Sequence, residues 1–253
     1  MSKPLTDIAT FFDGRLTVRQ PLDGYRAGLD AVLLASAAAG FTPARGIELG
    51  SGVGVALLGA ALQTANSAWI GLERNAETLE LSRVNIADNG LDHRVETRGG
   101  DVAAPPNLGK ADLVMLNPPY YATPGAVRGR GEIKREAFVE GDADLGVWLK
   151  TARRFAGPKG WIVIIHRAER LADILAALSA GAGQTRVLPI APRAGEPASR
   201  VLVAARMGSK APLSLLPPLV LHDAAGDYRT EVVEILSGRR LLSLHAEPGT
   251  SAI

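Results

Sequence analysis

The sequence of 253 residues contains no cysteine and has few aromatic residues and few lysines. Without cysteine it forms neither disulfides nor thiolate metal sites. Its four histidines are scattered without the spacing of metal ligands: His93, His166, His222 and His245. No apolar run approaches the roughly 18 to 20 residues that cross a bilayer, and the start lacks a signal-peptide core. These absences predict a cytoplasmic protein with no membrane and no metal partner.

The charge of the chain is only mildly basic, with a formal net charge of +2 and a pI near 9.0. Nearly all the positive charge is arginine, which suits bidentate contacts with phosphate. An arginine- and alanine-rich composition equally reflects the base composition of a genome. Charge alone therefore does not establish a nucleic-acid partner.

The most informative segment is Asn117-Pro118-Pro119-Tyr120, which follows the apolar run Ala111–Leu116. Such a run indicates a buried parallel strand, and ligand crevices open at the ends of parallel strands. The Asn117 carbonyl and the Pro118 backbone carbonyl are two acceptors that could hold an exocyclic NH2 group, and Tyr120 offers a face for stacking a planar substrate. The alternative is a turn that only stops a strand.

A second segment runs from the short apolar strand Arg45–Leu49 through Gly50-Ser51-Gly52-Val53-Gly54 into a helical pattern. Glycines let a backbone approach a ligand, and a helix N-terminus offers unpaired N–H groups. A dinucleotide fingerprint would require a small residue at position 55, which is Val. This strand, turn and helix therefore predict a nucleotide site, but not a dinucleotide site.

Acidic residues follow the next two predicted strands. Glu73 is placed to accept hydrogen bonds from ribose hydroxyls, and Asp101 to meet an adenine amino group. Either acid alone is equally well a helix N-cap or a solvated loop residue. Three such strand ends in succession favour an adenosine cofactor.

The order of these motifs resembles that of the Rossmann-like S-adenosylmethionine-dependent methyltransferases, and Asn-Pro-Pro-Tyr resembles the members that methylate planar amino or amide nitrogens. The leader Arg19–Ala35 is similar to that of bacterial tRNA adenine-N6 methyltransferases that act beside the anticodon of a valine tRNA. The resemblance covers roughly residues 7 to 240.

The resemblance implies S-adenosyl-L-methionine as the cofactor and catalysis by Asn117, Pro118, Pro119 and Tyr120. Cofactor contacts are implied for the leader, the glycine turn and the strand ends: Tyr25, Arg26, Asp30, Glu48, Gly50, Ser51, Gly52, Gly54, Glu73, Arg74, Asp101, Val102 and Asn117. Arg26 is assigned to the methionine carboxylate.

Alternating strands and helices from about residue 45 to 180 predict an α/β fold with a parallel sheet and helices on both faces. With the resemblance, we expect a mostly parallel seven-stranded sheet with an antiparallel pair, 184–190 and 199–206, at one edge. Residues 1–40 are predicted to form an extension of hairpin and helix that covers the cofactor, and 41–253 the methyltransferase domain. Helices are expected near 75–89, 142–156 and 168–179.

Two segments are predicted to contact RNA. The stretch between Tyr121 and Asp142 is long for a connection in a compact domain and carries a basic cluster: Arg128, Arg130, Lys134 and Arg135. The second segment, 192–200, contains Arg193 and Arg200. Glutamates in the first and Gly and Pro in the second fit ordinary surface loops equally well. With no separate RNA-binding domain, either these loops suffice or the protein forms a homodimer.

Three functions remain open at this stage. The first is N6-methylation of an adenine in RNA, with tRNA favoured over ribosomal RNA or DNA. The second is N5-methylation of a protein glutamine, whose planar amide the same tetrapeptide can hold. The third is a non-catalytic RNA-binding protein, which the intact set of motifs disfavours.

Overall fold

The computed structural model describes residues 6–22, 26–120 and 144–244. Its strands are β1 Thr6–Phe11, β2 Leu16–Pro21, β3 Arg45–Leu49, β4 Ala68–Glu73, β5 Val95–Gly99, β6 Ala111–Leu116, β7 Ala156–Arg167, β8 Ala182–Arg193, β9 Arg200–Met207, β10 Ser214–Leu215 and β11 Leu219–His222. Its helices are α1 Leu29–Ala39, α2 Val55–Gln63, α3 Ala76–Asp88, α4 Leu145–Phe155, α5 Leu171–Ser179 and α6 Thr230–Leu236, with a 3-10 turn at Ala168–Arg170.

The main sheet of the described residues has nine strands, in the order β10-β8-β9-β7-β6-β3-β4-β5, with β11 also paired to β8. Strands β3 to β7 run parallel, and β9 runs antiparallel between β7 and β8. The predicted α/β fold, with its mostly parallel sheet and antiparallel pair, is confirmed. Two short strands, β10 and β11, run parallel to β8 and extend this end beyond the seven strands that were expected.

Both faces of the central strands are buried, which explains why they appear in the sequence as unbroken apolar runs. In β6, Leu113 and Met115 face the layer that contains α1 and α2. Val114 and Leu116 face the opposite layer, which contains α4 and α5. The hydrophobic core therefore lies on both sides of the sheet, between its strands and the helices that pack on each face.

A hairpin of β1 and β2 precedes the first helix, and it docks on α3 through two asparagines. The Asn85 side chain accepts from the Arg19 backbone N–H at 2.8 Å and donates to the Arg19 carbonyl at 3.1 Å. Asn89 accepts from the Thr17 N–H at 3.0 Å and donates to the Thr17 carbonyl at 2.7 Å. The predicted hairpin is present, and α3 satisfies backbone groups along one of its edges.

The parallel arrangement brings the carboxyl ends of β3, β4, β6 and β7 to one edge of the sheet. The chain leaves these strands at Gly50, Arg74, Asn117 and Ala168 respectively. Ligand crevices of open α/β sheets form at this edge. The candidate site is therefore built around these four exits, together with residues that follow β5 and residues at the starts of α1 and β9.

Candidate active site

The glycine turn after β3 is held against the neighbouring strand. The backbone N–H groups of Gly50 and Ser51 both donate to the Leu72 carbonyl, at 2.8 and 3.0 Å. Gly50, Gly52 and Gly54 have φ of +68°, +55° and +97°, a region that side chains disfavour. A Cβ on Gly50 would lie 2.6 Å from the Trp148 ring, whereas one on Gly52 would meet no atom within 4 Å. The turn is thus packed on one side and open beside Gly52.

Glu73, the last residue of β4, lies against this turn. One carboxylate oxygen accepts from the Gly52 N–H at 2.9 Å, and the other accepts from the Asn75 N–H at 2.8 Å. The N-cap of α3 is Asn75, whose side chain accepts from the Thr78 N–H at 2.9 Å. Glu73 is therefore not the cap of α3, and its carboxylate ties the glycine turn to the end of β4.

Asp101 follows β5, and its carboxylate makes local contacts. One oxygen accepts from the Ala103 N–H at 2.8 Å, and the other lies 3.6 Å from an Arg74 guanidinium nitrogen. The adjacent Val102 side chain is buried, and its carbonyl accepts from the Thr151 hydroxyl at 2.7 Å. The Asp101 carboxylate is thus held by its own loop and lies next to the Arg74 guanidinium.

Glu48 is buried within the fold, with 3% of its surface exposed. Burial raises the pKa of its carboxyl well above the ordinary value. The Leu57 backbone, through a hydrogen bond, opposes this shift, and the nearby charge of Glu73 adds to it. One Glu48 oxygen has no hydrogen-bond partner in the described part of the chain. Glu48 is therefore a buried residue of β3, two positions before the glycine turn begins at Gly50.

The tetrapeptide Asn117-Pro118-Pro119-Tyr120 follows β6, and the remaining residues of the site are arranged around it. The Tyr120 hydroxyl lies 3.0 Å from the Asn117 side-chain oxygen and also bonds an oxygen of Asp30. Asp30 stands in the first turn of α1, far from Tyr120 in sequence. The leader, which the sequence grouped with the cofactor, thus contributes this carboxylate to the tetrapeptide.

Arg200, the first residue of β9, completes this cluster. Its Nε donates to the same Asp30 oxygen at 3.1 Å, and its guanidinium carbon lies 4.9 Å from the centroid of the Tyr120 ring. Burial alone would lower the pKa of Arg200, but Asp30 and Tyr120 together raise it above its ordinary value. The structure therefore brings together Asp30, Asn117, Tyr120 and Arg200.

His166, which the sequence reasoning left unassigned, packs beside the tetrapeptide. Its ring meets the Tyr120 ring edge-on, with centroids 5.1 Å apart, and it is fully buried near the end of β7. Burial lowers the pKa of His166 to about 4; the nearby charges of Arg170, Arg200 and Arg167 act in the same direction, and the Pro119 backbone opposes them. A polar residue that ends an apolar strand next to β6 was the signal that could have found it.

We expect His166 to make folding stability sensitive to acid. Its pKa is lowered in the folded state, so the unfolded chain binds more protons between about pH 6.5 and 4. Above pH 6.5 His166 is neutral in both states and leaves the free energy of unfolding unchanged. As the pH falls, the unfolded chain takes up a proton first, and the free energy of unfolding decreases by up to roughly 3 kcal/mol near pH 4. Urea unfolding of wild type and His166→Gln across pH 4 to 7 measures the difference in slope.

The control for this experiment is His93→Gln, because His93 is exposed. His166→Gln should have the flatter pH profile, and His93→Gln should follow the wild type. Parallel profiles for wild type and His166→Gln would contradict the assignment of a neutral buried imidazole.

The other predicted site residues are placed as follows. Arg26 is exposed and pairs with Asp7 of the hairpin at 3.1 Å, and Arg193 is exposed with Glu196 at 3.5 Å. Five predicted residues lie outside the described part of the chain: Tyr25, Arg128, Arg130, Lys134 and Arg135. Within residues 6–22, 26–120 and 144–244, no group of three or more acids or histidines is placed to hold a metal ion. No helix in these ranges is long and apolar enough to cross a membrane.

In the comparison with known proteins, residues 30–130 match the family model of the methyltransferase small domain. The chain is 26% identical to a predicted O-methyltransferase of Agrobacterium tumefaciens, with a TM-score of 0.70 over 86% of this chain and all of that one. This match and the sheet order establish a class I methyltransferase fold, whose cofactor is S-adenosylmethionine.

Among curated relatives, a protein of Porphyromonas gingivalis named tRNA1(Val) (adenine(37)-N6)-methyltransferase is 25% identical over 91% of this chain and 93% of its own length. A protein of the same name from a Flavobacteriaceae bacterium is 29% identical over 56% of this chain and 62% of its own. Proteins named glutamine methyltransferases align with 51 and 53% of this chain. For these two glutamine methyltransferases the match spans about half of their own length, 43 and 49%.

Proposed function

We propose that this chain, which carries a class I S-adenosylmethionine-dependent methyltransferase domain, transfers the methyl group to N6 of an adenine in tRNA. The observation that carries the proposal is the cluster at the end of β6. There an amide oxygen of Asn117 and the ring of Tyr120 lie together, at the same sheet edge as the glycine turn. An acceptor beside an aromatic ring suits a planar amine.

The cofactor fits the glycine turn and Glu73. The turn is open beside Gly52, where an added Cβ would meet nothing, and it precedes the N-terminus of α2. Glu73 uses one interaction on each carboxylate oxygen, so lone pairs remain for ribose hydroxyls. Asp101, on the next strand end, is assigned to the adenine amino group. The bound cofactor supplies a methyl group already activated by its sulfonium charge.

The chain's own contribution is to prepare the amine. The N6 lone pair of adenine is delocalised into the ring and is a poor nucleophile. Acceptors at Asn117 and at the Pro118 carbonyl hold the two N–H bonds and favour a pyramidal nitrogen as the new bond forms. This interaction strengthens in the transition state, so it raises the rate rather than only the affinity. Holding N6 about 3 Å from the methyl group adds the gain of orientation.

Three features support RNA as the substrate. Relatives with tRNA adenine-N6 methyltransferase names include one that aligns along most of the chain. The tetrapeptide is accompanied by a guanidinium, Arg200, over the Tyr120 ring. The basic residues at 128–135 supply further cations for phosphates.

The test is methyl transfer from radiolabelled S-adenosylmethionine to total RNA and to protein extract of a strain that lacks the enzyme. We expect label in the tRNA fraction and N6-methyladenosine after nuclease digestion. Label only in protein, released as N5-methylglutamine, would replace the proposal with the second candidate. That candidate is favoured by the glutamine methyltransferases among the relatives. No transfer to either extract would favour a non-catalytic protein.

The basic cluster Arg128, Arg130, Lys134 and Arg135 gives a separate prediction. Replacing all four with alanine should weaken tRNA binding and flatten its salt dependence, because each lost phosphate contact lowers the log–log slope by about 0.7 to 0.9. Filter binding at several salt concentrations measures both quantities. Cofactor affinity should hardly change.

The matched control removes Arg83 and Arg98, exposed arginines that pair with Glu80 and Glu96. This double variant should keep the wild-type salt slope. If the quadruple variant also keeps it, the 128–135 cluster is an ordinary surface loop.

A further inference from the structure

The Tyr120 hydroxyl has two acceptors in reach but only one proton. It bonds the Asp30 carboxylate, and it lies 3.0 Å from the Asn117 side-chain oxygen. A phenol donates a single hydrogen bond, so the two oxygens compete for it. Where this proton goes decides how much acceptor capacity Asn117 keeps for a substrate.

Asp30 is the stronger competitor. Its carboxylate is charged, and hydrogen bonds to ionised acceptors are shorter and stronger than those to neutral amides. Arg200 donates to the same Asp30 oxygen at 3.1 Å and also covers the Tyr120 ring, so the carboxylate is fixed in place. The side chain of Asp30 has only 18% of its surface exposed, which limits competition from water.

We propose that Asp30 is a positioning residue for the substrate amine and not a cofactor ligand. By accepting the Tyr120 proton, Asp30 keeps that hydroxyl from using one of the two lone pairs of the Asn117 oxygen and weakening it as an acceptor for the substrate amine. The same holds if the Asn117 amide turns to donate to the tyrosine oxygen, because its carbonyl then points away from the hydroxyl. The inference rests on the proposed function, in which Asn117 accepts from the amine.

The inference predicts a direction of change in the methyl-transfer rate that ordinary structural damage would not produce. In Asp30→Ala the hydroxyl turns to Asn117, so single-turnover methyl transfer should slow about 5- to 10-fold, the scale of one neutral hydrogen bond. Cofactor affinity should stay at the wild-type value. Adding Tyr120→Phe removes the competing donor, so the double variant should transfer faster than Asp30→Ala alone.

Arg200 also loses a partner in Asp30→Ala, and it interacts with the Tyr120 hydroxyl as well, so its contribution does not cancel in the double-mutant cycle. Repeating the comparison of Asp30→Ala with the double variant in Arg200→Gln protein removes that contribution. Asp30→Asn, which keeps the size of the side chain and a neutral acceptor, should show the same pattern with a smaller change in rate. Asp88→Asn is the matched control, because Asp88 is an exposed acid paired with Arg19.

A second measurement needs no turnover. In protein labelled with 13C at the tyrosine ring carbon that bears the hydroxyl, the Tyr120 signal is assigned by its loss in Tyr120→Phe. We expect Asp30→Asn to shift this signal and Asp88→Asn to leave it in place. This result stands even if wild type transfers no methyl group to RNA, which would overturn the proposed function alone.

Three outcomes would overturn the inference. One is an unshifted Tyr120 signal in Asp30→Asn. Another is a double variant as slow as or slower than Asp30→Ala, which would mean that the hydroxyl does not compete for Asn117. The third is a large loss of cofactor affinity in Asp30→Asn with unchanged single-turnover transfer at saturating cofactor, which would return Asp30 to the cofactor side.

Discussion

Asn117→Ala should slow methyl transfer by on the order of 100-fold or more, the scale seen when one preorganised polar group is removed from a reacting centre. The variant should fold, because Asn117 is only half-buried and follows the last strand residue, Leu116. Cofactor affinity should remain close to wild type, since the glycine turn and Glu73 are unchanged. Single-turnover transfer to tRNA, with bound cofactor measured separately, gives both quantities.

Two comparisons sharpen this experiment. Asn107→Ala removes an exposed asparagine from the loop before β6, where its side chain accepts from the Gly109 N–H, and it should transfer at the wild-type rate. Tyr120→Ala should reduce substrate placement more than chemistry, because stacking is worth roughly 1 to 3 kcal/mol per base. Arg200 already covers the Tyr120 ring at 4.9 Å, so an entering base stacks on the opposite face or displaces that guanidinium.

A wild-type rate for Asn117→Ala would reduce Asn117-Pro118-Pro119-Tyr120 to a turn that ends β6. The adenine-N6 proposal would then lose its main support, while the fold and the cofactor domain would stand. If the variant instead loses cofactor affinity in parallel with rate, Asn117 belongs to the cofactor site.

The strands of the fold could be predicted from sequence because their signals are local. The bounds of β3 and β6 match the apolar runs Arg45–Leu49 and Ala111–Leu116, since both faces of these strands are buried. Strand β10 has only two residues, one of them the exposed Leu215. So short a segment has no periodicity to detect, and its pairing with β8 depends on tertiary contacts.

The site could be predicted only where its residues follow one another or follow a strand. The tetrapeptide, the glycine turn and Glu73 met that condition. The partnership of Asp30 with Tyr120 and Arg200 did not, because it joins residues 90 and 170 positions apart. The resemblance assigned Asp30 to the cofactor because Asp30 belongs to the leader. In the structure its carboxylate contacts Tyr120 of the tetrapeptide and Arg200 of β9. Pairwise contacts of this kind leave no trace in one sequence.

Glu73→Ala is expected to weaken S-adenosylmethionine binding by about 1 to 3 kcal/mol, roughly 5- to 150-fold, through loss of charged hydrogen bonds to ribose. Glu73 also holds the Gly52 N–H at 2.9 Å and the Asn75 N–H at 2.8 Å, so the variant loses support for the turn as well. Both effects act in the same direction. Calorimetric titration of the purified protein measures the affinity.

The matched control is Glu77→Ala, which removes an exposed acid from the first turn of α3 and should bind the cofactor as wild type does. Titration with adenosine and with 2′,3′-dideoxyadenosine separates the two causes. If Glu73 bonds ribose, wild type should prefer adenosine and Glu73→Ala should lose most of that preference. If Glu73 only supports the turn, the variant should weaken both ligands equally. Wild-type cofactor affinity in Glu73→Ala would remove Glu73 from the site and leave the glycine turn to bind without an acidic partner.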